Sequence, residues 1–268
     1  MNMDVGNWIS VGLVLFAFLT MGIFFVIHRG KPYHPEVSRH TSLLIFAWLH
    51  GWFLWLFDPI VRLLVRLRVS PDTLAACGLV ASILAGWSYH RGEVAIGGWL
   101  LLLCGIFDVL DGKIARKTNR VSRYGAFMDS TFDRYAEGVV FLGLVSHFHP
   151  SYPMTLAVVF ALFGSFMVSY TKARGESLGV ACSVGLMQRP ERIVYLGAAS
   201  ILSPPLDLLT HHFGGSLEEP LLIVAICAIA LLAFATSVYR FLYIVQALKA
   251  REPEEGSIGE KAQEKKEG

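Results

Sequence analysis

The chain has 268 residues, of which 54% are apolar and only 16% charged, a balance that excludes an ordinary soluble domain and points to a polytopic membrane protein. The formal net charge is +2, so no overall basicity marks the chain for nucleic acid, and the positions of the charges matter more than their sum. Cys77, Cys104, Cys182 and Cys227 are scattered singly with no CxxC spacing, which excludes a disulfide framework and reads as small buried hydrophobes.

Taken in order, residues 8–28 (WISVGLVLFAFLTMGIFFVIH) form an apolar run long enough to cross a hydrocarbon core of roughly 30 Å. The residues before it carry no Lys or Arg and no small-residue cleavage site follows, so the run reads as an uncleaved helix rather than a signal peptide. HRGKPYHPEVSRH then reads as a short, partly basic linker, closing an N-terminal unit at residues 1–42. Residues 43–57 are apolar but reach only about 22 Å as a helix. Trp48, Trp52 and Trp55 recur there at four and three, an aromatic face suited to the headgroup zone. Asp58-Pro59 reads as an N-cap and first helical residue, followed by the basic, amphipathic IVRLLVRLR. Residues 43–69 are therefore expected to lie on the membrane as an interfacial helix. Were 43–57 to cross instead, the side of the N-terminus would flip.

Ser70-Pro71-Asp72 breaks that helix and starts the next, with Asp72 as a candidate N-cap. Six spans are predicted in the 70–248 region, at 73–90, 95–115, 124–146, 153–173, 191–210 and 220–247. The fold class expected is all-α integral membrane: a six-helix transmembrane bundle preceded by one extra N-terminal transmembrane helix and the interfacial amphipathic helix. The loops alternate in charge. RKTNRVSR, the stretch from 172 to 192 and the start of the tail are basic, whereas HRGE, HFHPSYP and THHFGGSLEEP hold Arg91 alone. The positive-inside rule places the basic loops and the C-terminus in the cytoplasm and the N-terminus outside. His147, His149, His211 and His212 fall on the outer loops and read as exposed loop histidines or, less simply, metal ligands. Residues 249–268 are charged and poor in apolar residues, the composition of a disordered cytoplasmic tail.

The second and third of the six spans carry the unusual feature. Asp108 and Asp111 sit three residues apart at the end of one, with Gly112, Ala115 and Arg116 on the same broad face; Gly125, Asp129 and Asp133 step by four at the start of the next. An ionised Asp inside a membrane helix costs roughly 2.5–3.5 kcal/mol at the centre and less near the ends, so four together require a compensating charge. Facing each other, the two stripes would converge four carboxylates on one point, an all-oxygen cluster suited to Mg²⁺ or Mn²⁺. Two such ions would balance the four charges and leave positions open for phosphate oxygens. Arg116 adds a fork for a pyrophosphate, and Gly112 and Gly125 remove side chains where a ligand or a facing helix approaches.

The pattern D-x2-D-G-x2-A-R-x8-G-x3-D-x3-D, complete between Asp108 and Asp133, resembles the signature of the CDP-alcohol phosphotransferase family, and the family-like region covers residues 58–248. The resemblance implies transfer of a phosphatidyl group from CDP-diacylglycerol to an alcohol, with release of CMP, in a prokaryotic inner or cell membrane. It implies Asp108, Asp111 and Asp129 as metal ligands. Asp133 would be the general base and share a metal. Asp111, Gly112, Ala115, Arg116 and Gly125 would face the CDP diphosphate. It also implies a homodimer, and a place near the nucleotide for the Pro71-Asp72-x-Leu74 element. Glu137 extends the acidic stripe without an assigned role.

Outside the signature, Ser169-Tyr170-Thr171-Lys172-Ala173-Arg174-Gly175-Glu176 and Arg189-Pro190-Glu191-Arg192 are similar to elements of prokaryotic phosphatidylinositol-phosphate synthases. That resemblance implies Lys172, Arg189, Arg192 and Arg240 as the residues holding the phosphate of inositol 1-phosphate. An anionic acceptor needs cations, and Arg grips phosphate bidentately; equally, Lys172, Arg174 and Arg192 would enforce topology at helix ends. Glycerol 3-phosphate is also anionic, so phosphatidylglycerophosphate synthesis remains an alternative. A cation or proton transporter would also bury acids in helices, but no internal repeat is found and the acids gather toward one side.

Overall fold

The computed structural model describes residues 5–28, 47–212 and 218–267. The expected linker after the first helix, the start of the Trp-rich segment and residues 213–217 of one outer loop lie outside the described residues, as do the side chains of His211 and His212. Among the described residues there are eight helices: α1 (Val5–His28), α2 (Ala47–Arg66), α3 (Pro71–His90), α4 (Val94–Lys117), α5 (Arg123–His147), α6 (Tyr152–Ser177), α7 (Arg189–His212) and α8 (Pro220–Glu267). Three stretches, Val94–Lys117, Tyr152–Ser177 and Pro220–Arg251, are long and apolar enough to cross a membrane by length and composition. Helices α3 to α8 begin within three residues of the apolar runs read from the sequence.

Local chemistry explains the starts. Ser70 rather than Asp72 caps α3: its Oγ accepts the Thr73 amide at 3.1 Å, and Pro71 occupies the first turn, where its missing N–H is not needed. Ser122 caps α5 in the same way, accepting the Gly125 amide at 3.0 Å. Between α4 and α5 the chain turns through Asn119 at φ 54°, a left-handed position that Asn tolerates better than most residues.

Two expectations are corrected. Asp58 is not an N-cap, because α2 runs unbroken from Ala47 to Arg66 with Pro59 inside it. The Asp58 carboxylate instead pairs with Arg62 one turn on, at 2.8 Å, and with Lys117 of α4, at 2.9 Å, while Lys113 donates to the Leu54 carbonyl at 3.1 Å. The tail, expected to be disordered, continues α8 as far as Glu267. Its Ala, Glu, Lys and Gln residues are good helix formers, and charge alone does not oppose a helix already nucleated by an apolar span.

The pairwise packing closes on itself. α3 packs on α4 and α5, α4 on α7, α7 on α8, α8 on α6 and α6 on α5, which makes a six-helix ring. Its interior is an apolar core that includes Tyr89, Leu101, Leu144, Val158, Met187, Leu196, Leu222 and Ile226. Inside it the Tyr89 hydroxyl meets Ser200 Oγ at 2.8 Å and ties α3 to α7. α3 and α5 come together backbone to backbone: a Cβ on Gly86 would stand 2.5 Å from the Val139 carbonyl oxygen, and one on Gly143 would collide with Gly86 itself. Large apolar side chains such as Leu142, Phe163, Val224, Leu231 and Phe241 point outward, as they would toward lipid. α1 and α2 flank the ring, with the Phe24 and Trp55 rings tilted against each other, centroids 5.7 Å apart.

Candidate active site

The site forms at the end of the ring where α4 finishes, α5 begins and α7 begins. α4 and α5 share almost no direct backbone packing among the described residues; each leans on α3. The carboxylates therefore meet across a gap, not across a tight helix pair. The gap is a small cavity floored by Ala75, Gly78 and Leu79 of α3 and walled by Asp108, Asp111, Asp129, Asp133 and Arg189.

Asp108, Asp111 and Asp129 each present a carboxylate oxygen, all within 4.8 Å of one another. Asp111 is buried. Two like charges about 4 Å apart repel by about 4 kcal/mol at an effective dielectric of 20. Three in this space, with one out of water, are held together by a cation or by taking up protons. The donor set is carboxylate oxygen throughout, so it fits a hard divalent ion better than zinc or copper.

Asp133 is not one of these three, and one side chain joins it to Asp108. Arg189, the first residue of α7, donates from one terminal nitrogen to Asp108 at 2.8 Å and from the other to Asp133 at 2.7 Å. Of the four basic residues expected to hold an acceptor phosphate, Arg189 is the one that the described contacts bring to the carboxylates. Lys172 is half exposed and lies 3.9 Å from Glu176. Arg192 is buried, with its Nε on Glu137 at 2.7 Å, one terminal nitrogen on the Met187 carbonyl at 3.0 Å and the other without a partner. Arg240 is buried too, and donates to the carbonyls of Val184 at 2.7 Å and Val168 at 2.8 Å, which ties α8 to α6 and to the 178–188 loop.

Gly112 leaves room for Arg116, whose guanidinium would lie 3.3 Å from a Cβ there, and Gly125 would place a Cβ 3.2 Å from its cap Ser122. Arg116 itself is exposed, and Ala115 sits one residue before it on the same stretch of α4.

Sequence reasoning missed Arg134 and gave Glu137 no role. Arg134 donates to Glu137 at 2.6 Å and also to Ser169 of α6, and a second terminal nitrogen stands 3.9 Å from Asp133. Glu137 thus holds two arginines, Arg134 and Arg192, behind the acid cluster. The signal available was the spacing of Asp133-Arg134-x2-Glu137, which puts an Arg and a Glu within one turn of the last motif Asp.

The CDP-alcohol phosphatidyltransferase family model matches residues 68–251. The chain is 33% identical over 199 residues to the archaetidylinositol phosphate synthase of Methanothermobacter thermautotrophicus, covering 72% of this chain and 94% of the relative. It is 33% identical over 226 residues to the phosphatidylinositol phosphate synthase of Streptomyces avermitilis, covering 82% and 88%. Among solved structures, the phosphatidylinositol phosphate synthase of Mycobacterium tuberculosis with CDP-DAG bound aligns at TM-score 0.60 and 29% identity, over 69% of this chain and 92% of that one. The same enzyme in complex with manganese and citrate also aligns at TM-score 0.60. With the matched region reaching from the start of α3 to residue 251 in α8 and including the carboxylate cluster, the chain belongs to the CDP-alcohol phosphatidyltransferase family.

Proposed function

We propose that the chain transfers a phosphatidyl group from CDP-diacylglycerol to inositol 1-phosphate and releases CMP. The observation that carries this reading is the convergence of Asp108, Asp111, Asp129 and Asp133 with Arg189 at one end of the ring, in a chain whose relatives are named for inositol phosphate products. Asp108, Asp111 and Asp129, with Asp133 sharing, would hold two divalent ions, Mg²⁺ or Mn²⁺. Such ions, when bound, neutralise the diphosphate and improve CMP as a leaving group. Asp111, Gly112, Ala115, Arg116 and Gly125 line the side toward the diphosphate.

The acceptor hydroxyl attacks the lipid-bearing phosphorus. A new phosphorus–oxygen bond forms as the bond to CMP breaks, and Asp133 takes the hydroxyl proton. Arg189 is the primary contact proposed for the acceptor phosphate. Lys172, Arg192 and Arg240 complete the basic set, and one terminal nitrogen of the buried Arg192 has no partner. The six ring helices are read as transmembrane spans with α1 as a seventh and α2 on the membrane surface. The motif end of the ring, rich in Lys and Arg, faces the cytoplasm, with the N-terminus outside and a homodimer as the working assembly.

The test is purified protein with CDP-diacylglycerol, Mg²⁺ and a panel of alcohols, following CMP. Release with inositol 1-phosphate and not with free inositol, serine or glycerol 3-phosphate is expected. Release with glycerol 3-phosphate alone would replace the acceptor assignment.

A further inference from the structure

Arg189 stands where a cation is needed. Its two terminal nitrogens bridge Asp108 and Asp133 at 2.8 and 2.7 Å, and its side chain is only 14% exposed. The three oxygens that gather within 4.8 Å come from Asp108, Asp111 and Asp129, and leave Asp133 out. Asp108 thus belongs to two sets: the group of three that could hold an ion, and the pair with Asp133 that a guanidinium already spans.

We propose that Arg189 takes the place of the second divalent ion in the ligand-free protein, and yields that place only when a phosphate group draws its guanidinium off Asp108 and Asp133. The inference rests on the metal reading given above and adds an order of events to it. Charge arithmetic favours the order. Four carboxylates with one divalent ion and Arg189 leave a net charge of −1. Adding a second ion without an anion would make the same part-buried site +1, whereas an arriving phosphate cancels that excess. The geometry permits the exchange. Arg189 is the first residue of α7, and the four-bond stem of an Arg lets its guanidinium swing without backbone movement. Asp133 would not be stranded, because Arg134 stays 3.9 Å away, pinned by Glu137 and Ser169.

The phosphate could come from the diphosphate of the donor or the phosphomonoester of the acceptor; both offer oxygens that an Arg fork binds. The experiment is a Mn²⁺ titration of the purified full chain in detergent, read by electron paramagnetic resonance. The wild-type protein alone is expected to saturate at one ion per chain with a mononuclear spectrum. Adding CDP or inositol 1-phosphate, in separate arms, is expected to bring in a second ion with the spin-coupled signal of a close pair, and the arm that does so names the source. Arg189→Gln is expected to bind two ions with no anion present. Two ions on the wild-type protein without an anion, no coupled pair in either arm, or one ion on a folded Arg189→Gln protein would each overturn the proposal. The readout needs no turnover, so a wrong acceptor assignment would leave it standing. Absence of any Mn²⁺ binding would overturn the metal reading itself, and this inference with it.

Discussion

At the residue scale, the chemistry divides between groups that face the reacting atoms and groups that hold them in place. Asp133 is the proposed base, so Asp133→Asn should lower turnover by about 10²–10⁴-fold, the range for a lost general base, while CDP-lipid binding persists. A single-turnover CMP assay beside a binding titration separates the two. Glu137 is different, being a buried carboxylate shared by Arg134 and Arg192. Removing it leaves the buried Arg192 and the part-buried Arg134 without their shared carboxylate, and Glu137→Ala should destabilise the fold by about 3–5 kcal/mol, read as a lower unfolding temperature in detergent. The four acids and Arg189 were visible in the sequence because each occupies a fixed place in a spaced pattern. Arg192 and Arg240 were visible as charges but not as structural posts. Their partners are the Met187, Val184 and Val168 carbonyls and Glu137, and no spacing in the sequence announces a backbone carbonyl.

At the element scale, the starts of α3 to α8 were legible because apolar runs alternate with basic or Gly- and Pro-bearing loops. The role of α3 was not. Nothing in its sequence says that α4 and α5 would each pack on it and leave a gap for the carboxylates. The unbroken path of α2 through Pro59 was also hidden, since Asp-Pro is a common helix start and the pairing of Asp58 with Lys117 depends on distant packing. The α3–α5 approach predicts that Gly143→Leu cannot be accommodated beside the Gly86 backbone. Overpacking usually costs about 1–3 kcal/mol, and a backbone obstacle puts this variant at the upper end, measurable as lost folded yield. The α2–α4 link predicts a pH effect of known sign. Lys117's hydrogen bond, foremost, holds the Asp58 carboxyl below its ordinary value of 3.8. The contribution of this link to stability is therefore complete above that ordinary value and lost as pH falls through the depressed one. Hydrogen exchange in α2, corrected for intrinsic rates, should be unchanged from pH 7 to 5 and rise only below the ordinary carboxylate range.

At the scale of the whole molecule, the ring has two chemically different ends. At one, His90 meets Ser146 at 2.7 Å and His147 meets Glu219 at 2.8 Å. At the other, the acid cluster, Lys117 and Arg251 gather, with Arg251 donating to the Gly179 carbonyl at 3.1 Å. Charge in the loops forecast this polarity, whereas the helical path of the tail escaped a reading based on composition. A cysteine placed at Arg120 should be labelled by an impermeant thiol reagent from the cytoplasmic face alone, and one at Arg91 from the opposite face alone, in a chain lacking its native cysteines. Metal-dependent release of CMP is the activity on which everything else depends. Purified protein given CDP-diacylglycerol and inositol 1-phosphate should release one CMP per phospholipid formed, fall to background with a chelator and recover with Mg²⁺ or Mn²⁺. Release that survives complete metal removal, or no release with any phosphorylated alcohol, would contradict it.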